Sequence, residues 1–176
     1  KLKHTGFDFS IGHNGPTWSA TFNGSHYKNE IVSIDGVSDF FYGPISTRYG
    51  NQVINKVGYP IGSFYGYIAD GFFKDAADVT AHAEQAGAGP GKIKFRDWNG
   101  DGKIDLNDRA IIGNPNPKCT AGLDLGYRRG NWDINATTFG TCGNDIFDAQ
   151  KEFYIFRNFS TNVRSDLVAN SWTPQN

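Results

Sequence analysis

The sequence has no run approaching the ~20 apolar residues that a membrane-spanning helix needs, which excludes a helical anchor within these residues. The exclusion does not reach barrel strands, whose hydropathy signal is far weaker. No charged segment followed by an apolar one marks a signal peptide, and methionine is absent. Only two cysteines occur, Cys119 and Cys142, with no CxxC spacing and no Cys/His cluster, which argues against zinc. Formal net charge is −1, so there is no basic footprint for nucleic acid. The four histidines, His4, His13, His26 and His82, are scattered and read as solvated or strand-surface residues. Catalytic signatures are also missing. There is no GxSxG, HExxH or phosphate loop, and no carboxylate spacing singles out an acid and a nucleophile. The chain is therefore not read as an enzyme.

What is present is aromatic and glycine-rich. Aromatics make up 15% of the chain, and there are 22 glycines. Few aliphatic residues remain for a conventional interior, and the balance favours strands, tight turns and irregular loops over helix bundles.

Two hairpins are legible from period-two alternation. Phe7, Phe9 and Ile11 alternate with Asp8, Ser10 and Gly12, and Trp18, Ala20 and Phe22 alternate with Ser19, Thr21 and Asn23. The Asn14-Gly15 step between them favours a tight turn. The second hairpin sets Ala121, Leu123, Leu125 and Tyr127, then Trp132, Ile134 and Ala136, against small polar neighbours. Its expected turn is Arg128-Arg129-Gly130-Asn131, with Tyr127 opposite Trp132. That register sets Cys119 against residue 140, leaves Cys142 diagonal and does not favour a disulfide.

Strands of about 9–11 residues with one apolar and one polar face fit a tilted barrel crossing as well as a soluble sheet. The aromatics Trp18, Tyr127 and Trp132 sit beside the turns, where a barrel carries its aromatic girdle. The reading is all-β: antiparallel hairpins of a transmembrane β-barrel at about 5–27 and 119–141. If both short turns lie on one side, everything at about 28–118 is one excursion on the other. In outer-membrane barrels the short turns are periplasmic and the long loops extracellular, so 28–118 is expected outside the cell.

Within the excursion, residues 30–36 suggest a short strand. Residues 75–86 suggest a helix capped by Asp75 and ended by Gly87, and residues 162–171 form a weaker helix candidate nearer the C-terminus. Phe64, Tyr65, Tyr67, Phe72 and Phe73 are expected to form the local core of this folded loop, although aromatics of this kind also stack on sugars.

The most specific chemical motif lies at residues 97–108. Asp97, Asn99 and Asp101 alternate, Gly102 permits a sharp turn, and Asp108 stands where the EF-hand pattern has Glu. A hard cation with six to eight oxygen ligands needs such alternation. The expected Ca²⁺ ligands are Asp97, Asn99, Asp101, the Lys103 carbonyl and Asp108, with Asp105 acting through water and Ile104 anchoring the loop. Dockerin-type calcium loops resemble this version; an acidic turn that binds nothing is the alternative.

The run GKIKFRDWNGDGKIDLNDRAIIGNPNPKCTAGLDLGYRRGNWDINATTFGTCGNDIFD at 91–148 resembles the C-terminal barrel region of SusC/RagA transporters. GYPIGSFYGYIADGFF at 58–73 and WSATFNGSHYKNEIVSIDG at 18–36 carry the same resemblance, in the same order along the chain. The resemblance implies a 22-stranded, plugged barrel in the outer membrane, in contact with its lipid and paired with a SusD-type surface lipoprotein. Such a pair imports oligosaccharides or peptides, driven by TonB. The plug, the TonB-contacting segment and the terminal barrel strand are not in this sequence, and the two cysteines depart from the family pattern. The competing reading is a secreted, calcium-stabilised carbohydrate-binding β domain, which requires the two hairpins to pack on each other as a soluble core.

Overall fold

A computed structural model describes residues 1–46, 50–154, 162 and 164–173. In chain order the strands are β1 (Leu2–Asn14), β2 (Trp18–Ile31), β3 (Phe40–Tyr42), β4 (Val53–Lys56), β5 (Ser63–Gly66), β6 (Ala69–Phe72), β7 (Ile93–Phe95), β8 (Ala110–Gly113), β9 (Cys119–Arg129) and β10 (Trp132–Cys142). One short helix, α1 (Ala76–Ala81), lies between β6 and β7, and a 3-10 turn spans Leu106–Asp108. The chain divides into two compact units, residues 1–64 with 113–146 and residues 65–112 with the described part of 147–176.

The first unit is dominated by a four-stranded antiparallel sheet in the order β1-β2-β9-β10. Each hairpin pairs with itself, and β2 pairs antiparallel with β9 from Trp18 opposite Tyr127 to His26 opposite Cys119. This puts both hairpin turns at the same end of the sheet. The chain leaves β2 and re-enters β9 at the opposite end. In the first turn, Gly15 donates its amide to the Trp18 carbonyl (2.9 Å) and lies outside the left-handed region. The tight positive-φ turn expected at Asn14-Gly15 is thus a looser turn through Gly15, Pro16 and Thr17.

The second turn corrects the register expected from sequence. Gly130 takes φ +57°, so a two-residue Gly130-Asn131 turn suffices. Arg128 and Arg129 remain in β9, and Arg129 faces Trp132. That shift of two residues brings Cys142 directly opposite Cys119, where a disulfide closes with Cα atoms 5.3 Å apart. The bridge lies at the end of the hairpin where the chain returns from its excursion.

A smaller pair, β3 with β4, and the start of β5 on β4 complete the first unit's strands. Its few buried side chains include Ile31, Ile54, Asn29, Asn55 and Ser63.

In the second unit β6 pairs with β7, and Phe73, just beyond β6, is fully buried. Tyr65 and Tyr67 lie under the Arg109 guanidinium, at 4.8 and 5.8 Å. Phe72 points the other way and is exposed, so the expected aromatic core is only partly realised. Asp75 caps α1 through the Asp78 amide, but the helix ends at His82, well before Gly87. The reason is tertiary. The His82 ring bonds the Phe95 carbonyl, Glu84 bridges to Lys103, and the Gln85 amide clasps Ile93 and Phe95 of β7. Those contacts need extended backbone. Of the 162–171 candidate, Leu167–Asn170 is helical, and residue 163 lies outside the described residues. The 30–36 strand is realised only as the end of β2 at Ile31.

The disulfide makes a prediction. Alkylation of the folded chain should add no label before reduction and two after it. Replacing both cysteines by serine should lower the unfolding free energy by roughly 3 kcal/mol, the loop-entropy estimate for a link of this separation, as read from the urea midpoint.

Candidate functional site

Side chains paired across antiparallel strands share a face, so the register assigns the two faces of the large sheet. One face carries Phe7, Phe9 and Ile11 of β1, Trp18, Ala20 and Phe22 of β2, Leu123, Leu125 and Tyr127 of β9, and Ile134 and Ala136 of β10. Between the row of Trp18 and Tyr127 and the row of His26 and Cys119 it carries no Lys, Arg, Asp or Glu. The first charges beyond that span are Arg129 at the turn end and Lys28, Glu30 and Lys3 at the other. Trp18, Tyr127 and Trp132 gather at the turn end. Phe9 lies across Gly24, leaving no room there for a Cβ, and meets Phe22 with ring centroids 5.6 Å apart.

The opposite face is polar: Asp8, Ser10, Thr21, Asn23, Ser25, Thr120, Asp124, Asn135 and Thr137. Its hydroxyls and carboxylates bond one another. Ser25 meets Thr120 at 2.6 Å, Thr137 donates to Asp124 at 2.8 Å, and Arg128 donates to Asp133 near the turn. Two aromatics, Phe139 opposite Gly122 and Tyr27 opposite Gly6, interrupt this face.

The apolar side chains are not covered. Trp132 is 72% exposed, Ile11 69% and Leu125 45%. The hairpins lie side by side, joined edge to edge through β2 and β9, and do not pack face to face. Each such side chain left in water forgoes about 1.5–3 kcal/mol of burial. The packed-hairpin core that a secreted soluble domain requires is therefore absent from the described residues.

At the end of the sheet away from the turns, three asparagines hold the segment before β5. Asn29 accepts from the Ile61 amide (3.0 Å), Asn55 accepts from the Gly62 amide (2.9 Å), and Asn116 donates to the Ile61 carbonyl (2.7 Å). Asn29 and Asn55 are buried, and buried polar groups need such partners. Asn114 and Asp145 exchange bonds at 2.7 Å, tying the IGNPNPK segment to GNDIFD. Sequence reasoning missed these roles, because alternation identifies a face and says nothing of which asparagine will clasp a distant backbone.

The acidic loop sits in the second unit. Gly100 and Gly102 take φ +75° and +84°, folding the chain back so that Asp97 accepts from both of their amides, at 2.7 and 2.8 Å. Asn99 accepts from the Asp101 amide, and Asp101 accepts from the Lys103 amide. Asp97, Asn99 and Asp101 thus line one exposed turn. Asp105 caps the 3-10 turn by accepting from Asn107.

Asp108 differs from the rest. It is fully buried, with one oxygen accepting from Trp98 (2.8 Å) and Asn99 (3.5 Å) and the other from Asp105 (2.7 Å). The Asp105 amide first, then those of Trp98 and Asn99, holds its carboxyl below the ordinary range against the opposing effect of burial. Among the described residues no group of three or more His, Cys, Asp or Glu side chains converges as a metal ligand set. Ile104 is half-buried, and its amide bonds Glu84.

An open antiparallel sheet with one apolar and one polar face, interrupted by a long folded excursion, matches barrel strands that carry a large loop as it matches one wet-faced sheet. No family model matches the chain. TonB-dependent receptor P3 of Formosa agariphila is 31% identical over 185 residues, covering all of this chain and 18% of that receptor. TonB-dependent receptor P26 of the same organism is 27% identical over 181 residues, 99% of this chain and 18% of the receptor. TonB-dependent receptor SusC of Bacteroides thetaiotaomicron is 27% identical over 157 residues, 83% of this chain and 14% of SusC. The chain thus spans under a fifth of the length of the curated relatives it matches. This likeness over nearly the whole chain supports a SusC-like segment of a TonB-dependent receptor. The all-β reading agrees with the structure, and relatives of this kind set the sheet in a β-barrel.

The Asp108 arrangement has a signed pH dependence. A carboxyl depressed in the folded state contributes stability fully above the unfolded value of about 3.9 and loses it as pH falls through the folded value. Asp108→Asn should open the 97–108 loop to limited proteolysis at neutral pH. The difference between variant and parent should shrink on acidification below about pH 4.

Proposed function

We propose that this chain contributes two hairpins and an extracellular excursion to a TonB-dependent outer-membrane importer of oligosaccharides or peptides, working with a SusD-type surface lipoprotein. The observation that carries the reading is the exposed apolar face of the β1-β2-β9-β10 sheet, free of Lys, Arg, Asp and Glu between the Trp18 and His26 rows. From Trp18 to Lys28 the strand advances roughly 33 Å at ~3.3 Å per residue, or about 25 Å along the membrane normal when tilted by ~40°, the height of a barrel's apolar band. Lipid supplies the cover that the exposed aromatics lack, and the polar face lines the lumen. The disulfide supports a place outside the reducing cytosol.

The reading places residues 28–118 outside the cell and the turns at Gly15 and Gly130 in the periplasm. In a full-length receptor with both native cysteines removed, a cysteine at Ala88 should react with an impermeant reagent on intact cells, and one at Gly130 should not. The reverse pattern would sink the orientation, and equal protection at both positions would sink the surface exposure of the excursion.

Calcium at the acidic loop is a second proposal. Supporting it are the fold of residues 97–103 and the spare lone pairs on Asp97, Asn99 and Asp101, whose oxygens can keep their amide bonds and still face a cation. With the Lys103 carbonyl these form the ligand set. Asp105 is in reserve, and Asp108 buttresses the loop through its amide bonds. Added at millimolar concentration to metal-free protein, calcium should raise the melting temperature, and Asp101→Ala should abolish most of the rise. An equal rise in the variant would leave only an acidic turn.

A further inference from the structure

Lys3, Thr5 and Phe7 of β1 stand opposite Glu30, Lys28 and His26 of β2. By register these side chains lie on the apolar face, immediately past its charge-free span, and at the end from which the chain departs on its excursion. They line a shallow cavity of about 390 Å³. Two lysines and one glutamate line this hollow. Lys28 approaches Glu30 at 3.2 Å yet keeps 72% of its side-chain surface exposed. The floor is Phe7, whose ring meets that of His26 at 5.8 Å. Along β1 the apolar row continues beyond the hollow into Phe9 and Ile11, so excess positive charge adjoins an apolar track.

Resting on the membrane reading above, we propose that this hollow binds the phosphorylated headgroup of an outer-leaflet lipid, with an acyl chain lying along Phe7 and Phe9. Charge complementarity selects the headgroup. Lysines on the lipid-facing side of a band edge lie at headgroup depth, where long cationic side chains reach phosphate while their stems stay in the apolar layer. The apolar track selects a lipid over a soluble anion. A substrate in transit would meet the opposite, polar face, where no such pair of lysines stands on these four strands.

The test uses the full-length receptor inserted in bilayers, with phosphorylated lipid A and enzymatically dephosphorylated lipid A as probes. Lipid retained after detergent extraction is counted by native mass spectrometry. The receptor should retain the phosphorylated form better by on the order of tenfold, the effect of two lysines near a charged surface. The Lys3→Gln, Lys28→Gln double variant should lose that preference, and the Lys3→Arg, Lys28→Arg variant should keep it. An unchanged preference in the glutamine variant overturns the proposal, as does displacement of the lipid by inorganic phosphate, which would mark a free-anion site. Failure of the parent receptor to insert into lipid overturns the membrane reading and this inference with it. Insertion without a phosphate preference overturns this inference alone.

Discussion

The antiparallel pairing of β2 with β9 is the constraint on which the first unit depends. It joins two hairpins that are far apart in sequence, and it fixes their relative register from Trp18 opposite Tyr127 to His26 opposite Cys119. A slip of one residue would send every side chain of one hairpin to the other face. The apolar band, the polar face and the common end of both turns would then be lost together. Local turn chemistry could not secure this alone, because each hairpin is self-consistent in either relative register. Backbone ladder bonds and the Ser25–Thr120 contact across the seam hold it, and the disulfide pins the end of β9 next to that seam.

With that register in place, burial in the first unit falls into two regimes. The large sheet buries almost nothing of its own and presents an apolar surface for another medium to cover. Beyond it, the chain turns to polar clasps: Asn29, Asn55 and Asn116 satisfy the backbone around Ile61 and Gly62, and Asn114 with Asp145 closes the junction behind β10. Such side-chain to backbone bonds suit a segment with little aliphatic material, since they give order without a hydrophobic core. Within the second unit the same economy recurs, with Asp108 and Phe73 as its fully buried large side chains among the described residues.

At the acidic loop, most of what the structure contains was readable in advance. Alternating Asp97, Asn99 and Asp101 with Gly100 and Gly102 can fold in few ways, because the left-handed positions are already assigned to glycine. The role of Asp108 was not readable. Its position in the motif points to a metal ligand, and alternation gives no sign that its buried carboxylate also accepts from the amides of Trp98, Asn99 and Asp105. The cysteines were misjudged for a related reason. A two-residue turn at Gly130 and a four-residue turn beginning at Arg128 are equally compatible with alternation, and the choice between them moves Cys142 by two positions.

The sequence by itself determined the four long strands of the two hairpins, their faces, and the acidic turn. These rest on period-two alternation and on glycine's access to positive φ, which are properties of a few neighbouring residues. Only the tertiary structure decided the pairing of Cys119 with Cys142, the early end of α1 at His82, the asparagine clasps and the burial of Asp108. Each of these depends on a partner distant in sequence or on competition between two locally acceptable geometries, and the energy that separates such alternatives resides in contacts that no single segment contains.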